Sequence, residues 1–73
     1  MSPKSISEKN YNRALVAARK EKKLTIAEAA DAIGISHGML AMLETKKRKG
    51  SDETKIKIAR FYGKSIEELF YAD

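Results

Sequence analysis

The most constraining feature of the sequence is a glycine, Gly34, that interrupts an apolar helical pattern. Ahead of it, Thr25 and Glu28 have the spacing of a capping box, in which two side chains satisfy free backbone N–H groups at the start of a helix. Behind it, Ser36 is placed to cap another helix. Because glycine readily adopts the left-handed conformation with which a chain leaves a helix, the sequence predicts two short helices joined by a sharp turn.

The rest of the chain also has a helical pattern, because apolar residues recur at spacings of three and four and no sustained alternation occurs. We predict an all-α, compact bundle of five short helices, over about Glu8–Lys22, Ile26–Ile33, His37–Glu44, residues 52–62 and Ile66–Tyr71. The residues predicted to face its core are Tyr11, Ala14, Leu15, Ala18, Leu40, Leu43, Ile56, Ala59, Tyr62, Ile66, Leu69 and Phe70.

Ile35 is predicted to fill the space under the turn between the two short helices.

Caps and breaks give the helices their predicted limits. The residues predicted to cap the remaining helices are Ser5 or Ser7 for the first, Ser51 or Asp52 for the fourth, and Ser65 with Glu68 for the fifth. Gly63 is predicted to end the fourth helix, and Lys46–Gly50 is predicted to be a polar loop. Residues 1–7 are expected to form a flexible arm ahead of a single domain over residues 8–73.

Size and charge narrow the function. A chain of 73 residues forms one domain, and without cysteine it has neither disulfides nor thiolate metal sites. The net charge is +5, but residues 1–49 carry +6 and residues 50–73 carry −1. This distribution favours a polyanionic partner for the first two thirds of the chain. No apolar run approaches a membrane span or a secretory signal, so we expect a cytoplasmic protein.

The segment Ile26–Thr45 has the spacing of a helix-turn-helix motif. Such a motif needs a small residue where its two helices touch, a glycine at the turn, and apolar residues that hold the second helix on the first. The residues predicted to fill these roles are Ala30, Gly34, Leu40 and Leu43, with Ile33 and Ile35 beneath them.

At this point the sequence resembles the phage repressor/Cro-like (Xre-type) helix-turn-helix family. The resemblance lies in LTIAEAADAIGIS at residues 24–36, followed by Leu40, Leu43 and Glu44. Two further stretches, IKIARFYG at residues 56–63 and SIEELF at residues 65–70, resemble the last two helices of the family. The resemblance covers about residues 12–70 and implies a lambda-repressor-like DNA-binding domain.

The resemblance implies that Ile26–Ile33 lies across the DNA backbone while His37–Glu44 enters the major groove. The residues then expected to contact bases are Ser36, His37, Gly38, Ala41, Met42 and Thr45. Two positions depart from the family: Ile26 replaces a glutamine that anchors a phosphate, and Ala41 replaces a frequent serine. Because the segment His37–Glu44 contains no Arg, Lys, Asn or Gln, base reading by hydrogen bonds is expected to be sparse and DNA shape to contribute to specificity.

Basic residues follow and precede the reading helix. The residues expected to contact phosphates are Lys46, Lys47, Arg48 and Lys49 after it, and Arg13, Lys20 and Lys23 before it. The alternative for the run Lys46–Lys49 is a solvated loop without a partner. His37 is either a DNA contact or an exposed first-turn residue, and Met39 is expected to pack while Met42 is expected to be exposed.

The sequence predicts a sequence-specific regulator that binds double-stranded DNA, acts as a repressor and forms a homodimer. Phe61, Tyr62, Phe70 and Tyr71 belong either to the core and rim of the bundle or to a dimer interface formed by the C-terminal helices. No catalytic cluster, metal site or cofactor motif is apparent, so we expect neither an enzyme nor a cofactor. The alternative function is a module that binds a protein partner, as an antitoxin or a modulator of a repressor.

Overall fold

The computed structural model describes residues 11–71, and this part of the chain is all-helical with no strand. Its helices are α1 (Arg13–Glu21), α2 (Ile26–Ile33), α3 (His37–Glu44), α4 (Asp52–Tyr62) and α5 (Ile66–Phe70). The predicted all-α bundle of five helices is therefore confirmed. The predicted arm over residues 1–7, the cap at Ser5 or Ser7 and the helix start at Glu8 lie outside the described residues.

The first described helix starts later than the sequence predicts. The Asn12 Oδ1 accepts the Leu15 backbone N–H at 3.1 Å and caps α1, so residues 11 and 12 are not helical. The Asn12 side chain is buried, and its Nδ2 donates to the Leu69 carbonyl at 2.8 Å. Tyr11, predicted to face the core, is exposed instead. The prediction failed because a buried cap interrupts a continuous apolar pattern.

The turn between α2 and α3 forms as predicted. Thr25 and Glu28 make both hydrogen bonds of the capping box, and Gly34 ends α2 with a φ of 93°. The Ser36 Oγ then accepts the Met39 backbone N–H at 3.0 Å and starts α3. The axes of α2 and α3 are bent by 113°, within the range of helix-turn-helix motifs.

Two clusters of buried side chains hold the helices together. The larger one includes Leu15, Leu43, Ile58 and Leu69, from α1, α3, α4 and α5. The smaller one consists of Ala29, Ala30 and Leu40, where α3 crosses α2. Ile35, in the turn, packs against both clusters, as its predicted place under the turn requires.

The buried face of α4 differs from the prediction. The buried positions are Lys55, Ile58, Ala59 and Tyr62, whereas Ile56, predicted to face the core, is 41% exposed. These four positions have the spacing i, i+3, i+4 and i+7 of one helix face, and a lysine occupies the first of them. The predicted face was wrong because its first position was assigned to the nearest apolar residue.

The ends of α4 and α5 close the bundle. Ser51 caps α4, Gly63 ends it with a φ of 67°, and Ser65 forms the predicted capping box with Glu68. The helix α5 ends at Phe70, one residue before the predicted end. Within residues 11–71, no single helix is long and apolar enough to cross a membrane; α2 and α3 satisfy that test only when taken together as a bent pair.

Candidate nucleic-acid interface

The helix α3 has one face in the core and one face open to solvent. Leu40, Leu43 and Glu44 are buried, and Met39 is half-buried against the larger cluster. On the other side, Met42 is 41% exposed, as predicted. The first turn of α3 is also exposed. The α3 helix is therefore held by its inner face and presents its outer face to a partner.

A buried ion pair anchors the C-terminal end of α3. The Arg19 guanidinium donates from Nε to the Glu44 Oε2 at 2.7 Å and from Nη2 to Oε1 at 3.0 Å. A third donor, Nη1, reaches the Leu24 carbonyl at 2.9 Å. The hydrogen bonds to Glu44 raise the pKa of Arg19, so the guanidinium stays charged. Arg19 thus joins α1, the segment just before α2 and the end of α3, a role that the sequence analysis did not assign.

The residues predicted to contact bases lie along the outer side of α3, but their polar groups are partly occupied. The His37 Nε2 lies 2.9 Å from the Asp31 Oδ1, and both side chains are largely exposed. The Thr45 hydroxyl donates to the Ala41 carbonyl at 2.8 Å. The Ser36 hydroxyl oxygen accepts the capping bond. The Thr45 hydroxyl proton is therefore committed within the helix, whereas the Ser36 hydroxyl proton remains available as a donor.

Gly38 lies in the first turn of α3, and its space is open. A Cβ built on Gly38 would meet no atom within 4 Å, and its φ is not positive. Neither packing nor backbone conformation within this subunit therefore requires a glycine at position 38. A close approach of an outside molecule to the backbone is a physical reason for its presence.

An open groove of about 690 Å³ runs between α1 and α3, beside the start of α2. Its residues are Tyr11, Arg13, Val16, Ala17, Arg19, Lys20, Ile26, Ala41, Glu44 and Thr45. Its surface is mainly apolar, and Ile26 and Ala41, the two positions that depart from the family, contribute to it beside Val16 and Ala17. Arg13 and Lys20, both predicted to contact phosphates, are exposed at this groove.

The basic loop folds back on the end of α3. The backbone N–H groups of Lys47 and Arg48 both donate to the Met42 carbonyl, at 2.8 and 3.2 Å. Lys46 has a φ of 61°, in the left-handed region, which turns the chain at this point. The side chains of residues 46–49 are exposed, and Lys23 is exposed at the turn between α1 and α2. The structure therefore places four exposed cations at the C-terminal end of α3, and three of them, Lys46, Arg48 and Lys49, line a pocket with Leu43 on the inner side of that helix. Lys23 lies apart from them in the chain.

The geometry agrees with a family model. A helix-turn-helix family of the Cro/C1 type matches residues 15–69, which is most of the chain. The chain belongs to the Cro/C1-type helix-turn-helix family. No curated protein and no solved structure matches the chain significantly.

Membership in the Cro/C1-type family makes this chain a helix-turn-helix domain of a DNA-binding, regulatory class. In such motifs the second helix is the one that enters the major groove, and here that helix is α3. The sequence analysis missed Arg19, Asn12, Asp31 and Lys55. The burial of Glu44 could have been predicted, because Glu44 lies four residues after Leu40 and therefore on the same, buried face of α3.

Proposed function

We propose that the protein is a sequence-specific transcriptional regulator that binds double-stranded DNA through α3. The observation that carries the proposal is the open outer face of α3, which is held from behind by Leu40, Leu43 and Glu44 and is followed at its C-terminal end by the exposed basic loop. The base contacts are those predicted from the sequence, on Ser36, His37, Gly38, Ala41, Met42 and Thr45. The protein acts in the cytoplasm of a bacterium, encoded by the bacterium or by a phage, without a cofactor or catalytic activity.

We further propose that the protein represses transcription as a homodimer. A dimer places two α3 helices on half-sites about 34 Å apart, and an occupied operator blocks polymerase. The half-buried rings of Phe61 and Phe70 and the exposed Tyr71 are available to a dimer interface formed by the C-terminal helices.

Affinity comes mainly from phosphate contacts, and base reading from shape and apolar contact. The phosphate contacts are those predicted from the sequence, on Arg13, Lys20, Lys23, Lys46, Lys47, Arg48 and Lys49. On α3, Ala41 and Met42 offer apolar surface for thymine methyl groups. Hydrogen bonds contribute less, because the Thr45 hydroxyl proton is already donated within the helix.

The salt dependence of DNA binding tests the electrostatic part of the proposal. With about six phosphate contacts, the logarithm of the binding constant falls with the logarithm of salt concentration at a slope of about −5. The double variant Lys47→Glu/Arg48→Glu is expected to abolish binding, whereas Lys57→Glu, an exposed control on α4, is expected to retain most of it. A flat salt response of the unmodified protein contradicts the proposal.

Gly38→Ala tests whether the backbone of α3 approaches DNA. Because a Cβ at position 38 meets no atom of the subunit, the variant is expected to gain about 0.5 to 1 kcal/mol of stability through its helix propensity. The same methyl group is expected to weaken DNA binding. A variant that is more stable and binds DNA as tightly as before removes Gly38 from the interface.

The apolar groove favours a second candidate function, the binding of a protein partner. Val16, Ala17 and Ile26 provide apolar surface, and the cations of Arg13 and Lys20 beside them suit a partner helix with acidic flanks. Ala17→Glu is expected to block this partner, and Lys47→Glu/Arg48→Glu to spare it. Capture of one partner by the second variant but not by the first supports this function, and equal capture by both counts against it.

A further inference from the structure

A lysine occupies a core position of α4. Lys55 is 8% exposed and begins the buried face that continues with Ile58, Ala59 and Tyr62. An ammonium group removed from water destabilises a protein unless charge or hydrogen bonds compensate it. A leucine or methionine at this position would fit the apolar face without that cost, so the lysine requires a physical reason.

Within residues 11–71, the groups that contact the Lys55 ammonium are neutral. Its Nζ donates to the Tyr71 hydroxyl oxygen at 2.7 Å, and it lies 5.6 Å from the centre of the Phe70 ring and 4.9 Å from that of Tyr71. Ring faces attract a cation, but they do not neutralise it. Because the Tyr71 oxygen accepts the lysine proton, the Tyr71 hydroxyl proton remains available to another acceptor.

Lys55 lines a second pocket, of about 490 Å³, between the basic loop, α4 and α5. Arg48 and Lys49 line the same pocket, as does Lys46, and none of the described residues around it is acidic. The pocket thus brings several cations and a free hydroxyl donor together. An anion with several acceptor oxygens can accept from the Lys55 ammonium, the Tyr71 hydroxyl, Arg48 and Lys49 at once.

We propose that this pocket binds a phosphate group. The Lys55 ammonium and the Tyr71 hydroxyl donate to it from below, and Arg48 and Lys49 approach it from the loop. The phosphate belongs either to the DNA backbone or to a free phosphorylated compound, and only the first source rests on the proposed function. A free compound at this site competes with DNA for Arg48 and Lys49.

Titration with inorganic phosphate at constant ionic strength tests the site without DNA. In NMR spectra, the resonances of Phe70 and Tyr71 are expected to shift saturably with phosphate but not with chloride. Lys55→Met is expected to weaken this binding about tenfold or more, and Lys57→Met, the exposed control on the same helix, to leave it unchanged. Equal shifts with chloride, or equal phosphate binding by Lys55→Met, overturn the proposal.

Binding to a random duplex of about 21 base pairs, two helical turns, identifies the source of the phosphate. If it is DNA, Lys55→Met weakens binding and reduces the magnitude of the salt slope by about 1. If Lys55→Met loses phosphate binding but keeps its DNA affinity and slope, the site stands and its ligand is a free phosphorylated compound. If the unmodified protein binds phosphate but no DNA, the proposed function fails and the site remains.

A melting curve of each variant accompanies both measurements. Methionine fits the apolar face of α4, so Lys55→Met is expected to melt no lower than the unmodified protein. Tyr71→Phe provides a second test, because it removes the hydroxyl donor at a position that is 61% exposed. It is expected to weaken phosphate binding less than Lys55→Met does, and an unchanged affinity removes the Tyr71 hydroxyl from the site.

Discussion

The bundle buries two side chains of opposite charge in different surroundings. At the junction of α1 and α3, Glu44 is 2% exposed and accepts two hydrogen bonds from Arg19. At the junction of α4 and α5, Lys55 is nearly as well buried but meets a hydroxyl and two aromatic rings. The first group has its counter-ion within the fold, whereas the second contacts only neutral groups among those described for it.

This difference separates a structural charge from a functional one. A buried carboxylate with a bidentate arginine is compensated inside the subunit, and the pair orients the helices that carry it. A buried ammonium beside neutral groups leaves a positive potential at the surface of the pocket. Substitution at Glu44 should therefore lower stability, whereas substitution at Lys55 should weaken binding without lowering stability.

The largest effect is expected at Glu44. Replacing Glu44 by Gln leaves the Arg19 charge without its partner, and we expect the free energy of unfolding to fall by about 3 kcal/mol. Urea denaturation measures this loss. Glu21→Gln is the matched control, because Glu21 and Lys64 form an exposed pair at 3.6 Å whose loss should cost less than about 1 kcal/mol.

The double variant Arg19→Met/Glu44→Leu sharpens this result. If the loss in Glu44→Gln arises from an uncompensated charge, removing both charges should restore part of the stability. A double variant less stable than Glu44→Gln would instead assign the effect to packing.

A smaller effect, of opposite sign, is expected at Lys55. Lys55→Met removes a buried charge from an apolar helix face, and we expect stability to be unchanged or to rise by about 1 kcal/mol. Thermal unfolding measures the change, with Lys57→Met expected to stay within about 0.5 kcal/mol of the unmodified protein. A large loss of stability in Lys55→Met would show that the Lys55 charge stabilises the fold, as that of Glu44 does, and would contradict the difference between the two sites.

Tyr62 extends the comparison to a neutral group. Its buried hydroxyl has no hydrogen-bond partner among the described residues, and burial raises its pKa to about 12. A tyrosine whose pKa is raised by folding stabilises the fold below its unfolded pKa of about 10, and this contribution is lost as the pH rises towards 12. Tyr62→Phe is therefore expected to be near neutral at pH 7 and to lose less stability above pH 10.

Glu68 is an exposed carboxylate, in contrast to the buried Glu44, and the smallest effect on stability is expected there. Its carboxylate accepts the Ser65 backbone N–H at 2.9 Å, and this hydrogen bond lowers its pKa below 4.5. Because the folded pKa is depressed, the stabilising contribution is present above pH 4.5 and is lost as the pH falls through the folded pKa. The Ser65 side chain lowers the pKa further, so NMR titration should give a pKa below 4.5 that rises only in part in Ser65→Ala, which keeps the backbone N–H; an unchanged pKa in that variant would assign the whole shift to the backbone hydrogen bond.

The parts of the fold that were predictable depend on local chemistry. Capping and turn residues act on backbone groups a few residues away, so their roles follow from spacing alone. These residues are Thr25 with Glu28, Gly34, Ser36 and Ser51. The pairing of Arg19 with Glu44 spans 25 residues, and no local rule connects the two. Asn12 was missed for the same reason, because the carbonyl that it satisfies lies on α5.

The candidate site was predictable in position and less so in chemistry. The sequence predicts which residues follow the turn and which of them are basic, and the exposure of Met42 agrees with its spacing from Leu40 and Leu43. It did not indicate that the Thr45 hydroxyl is committed to the helix or that Lys55 belongs to a pocket. Ordinary patterning treats a lysine as solvent-facing, so the buried face of α4 was shifted to Ile56.

Arg19 has a consequence for how operators can be recognised. A single guanidinium on α1 holds the end of α3, the helix proposed to read DNA, and the segment just before α2, so α3 cannot tilt without disturbing α1 and that segment. The orientation of α3 within the bundle is therefore fixed. If the protein binds half-operators as the proposed dimer, tolerance for different spacings between them must come from the way the two copies associate, or from bending of the DNA itself.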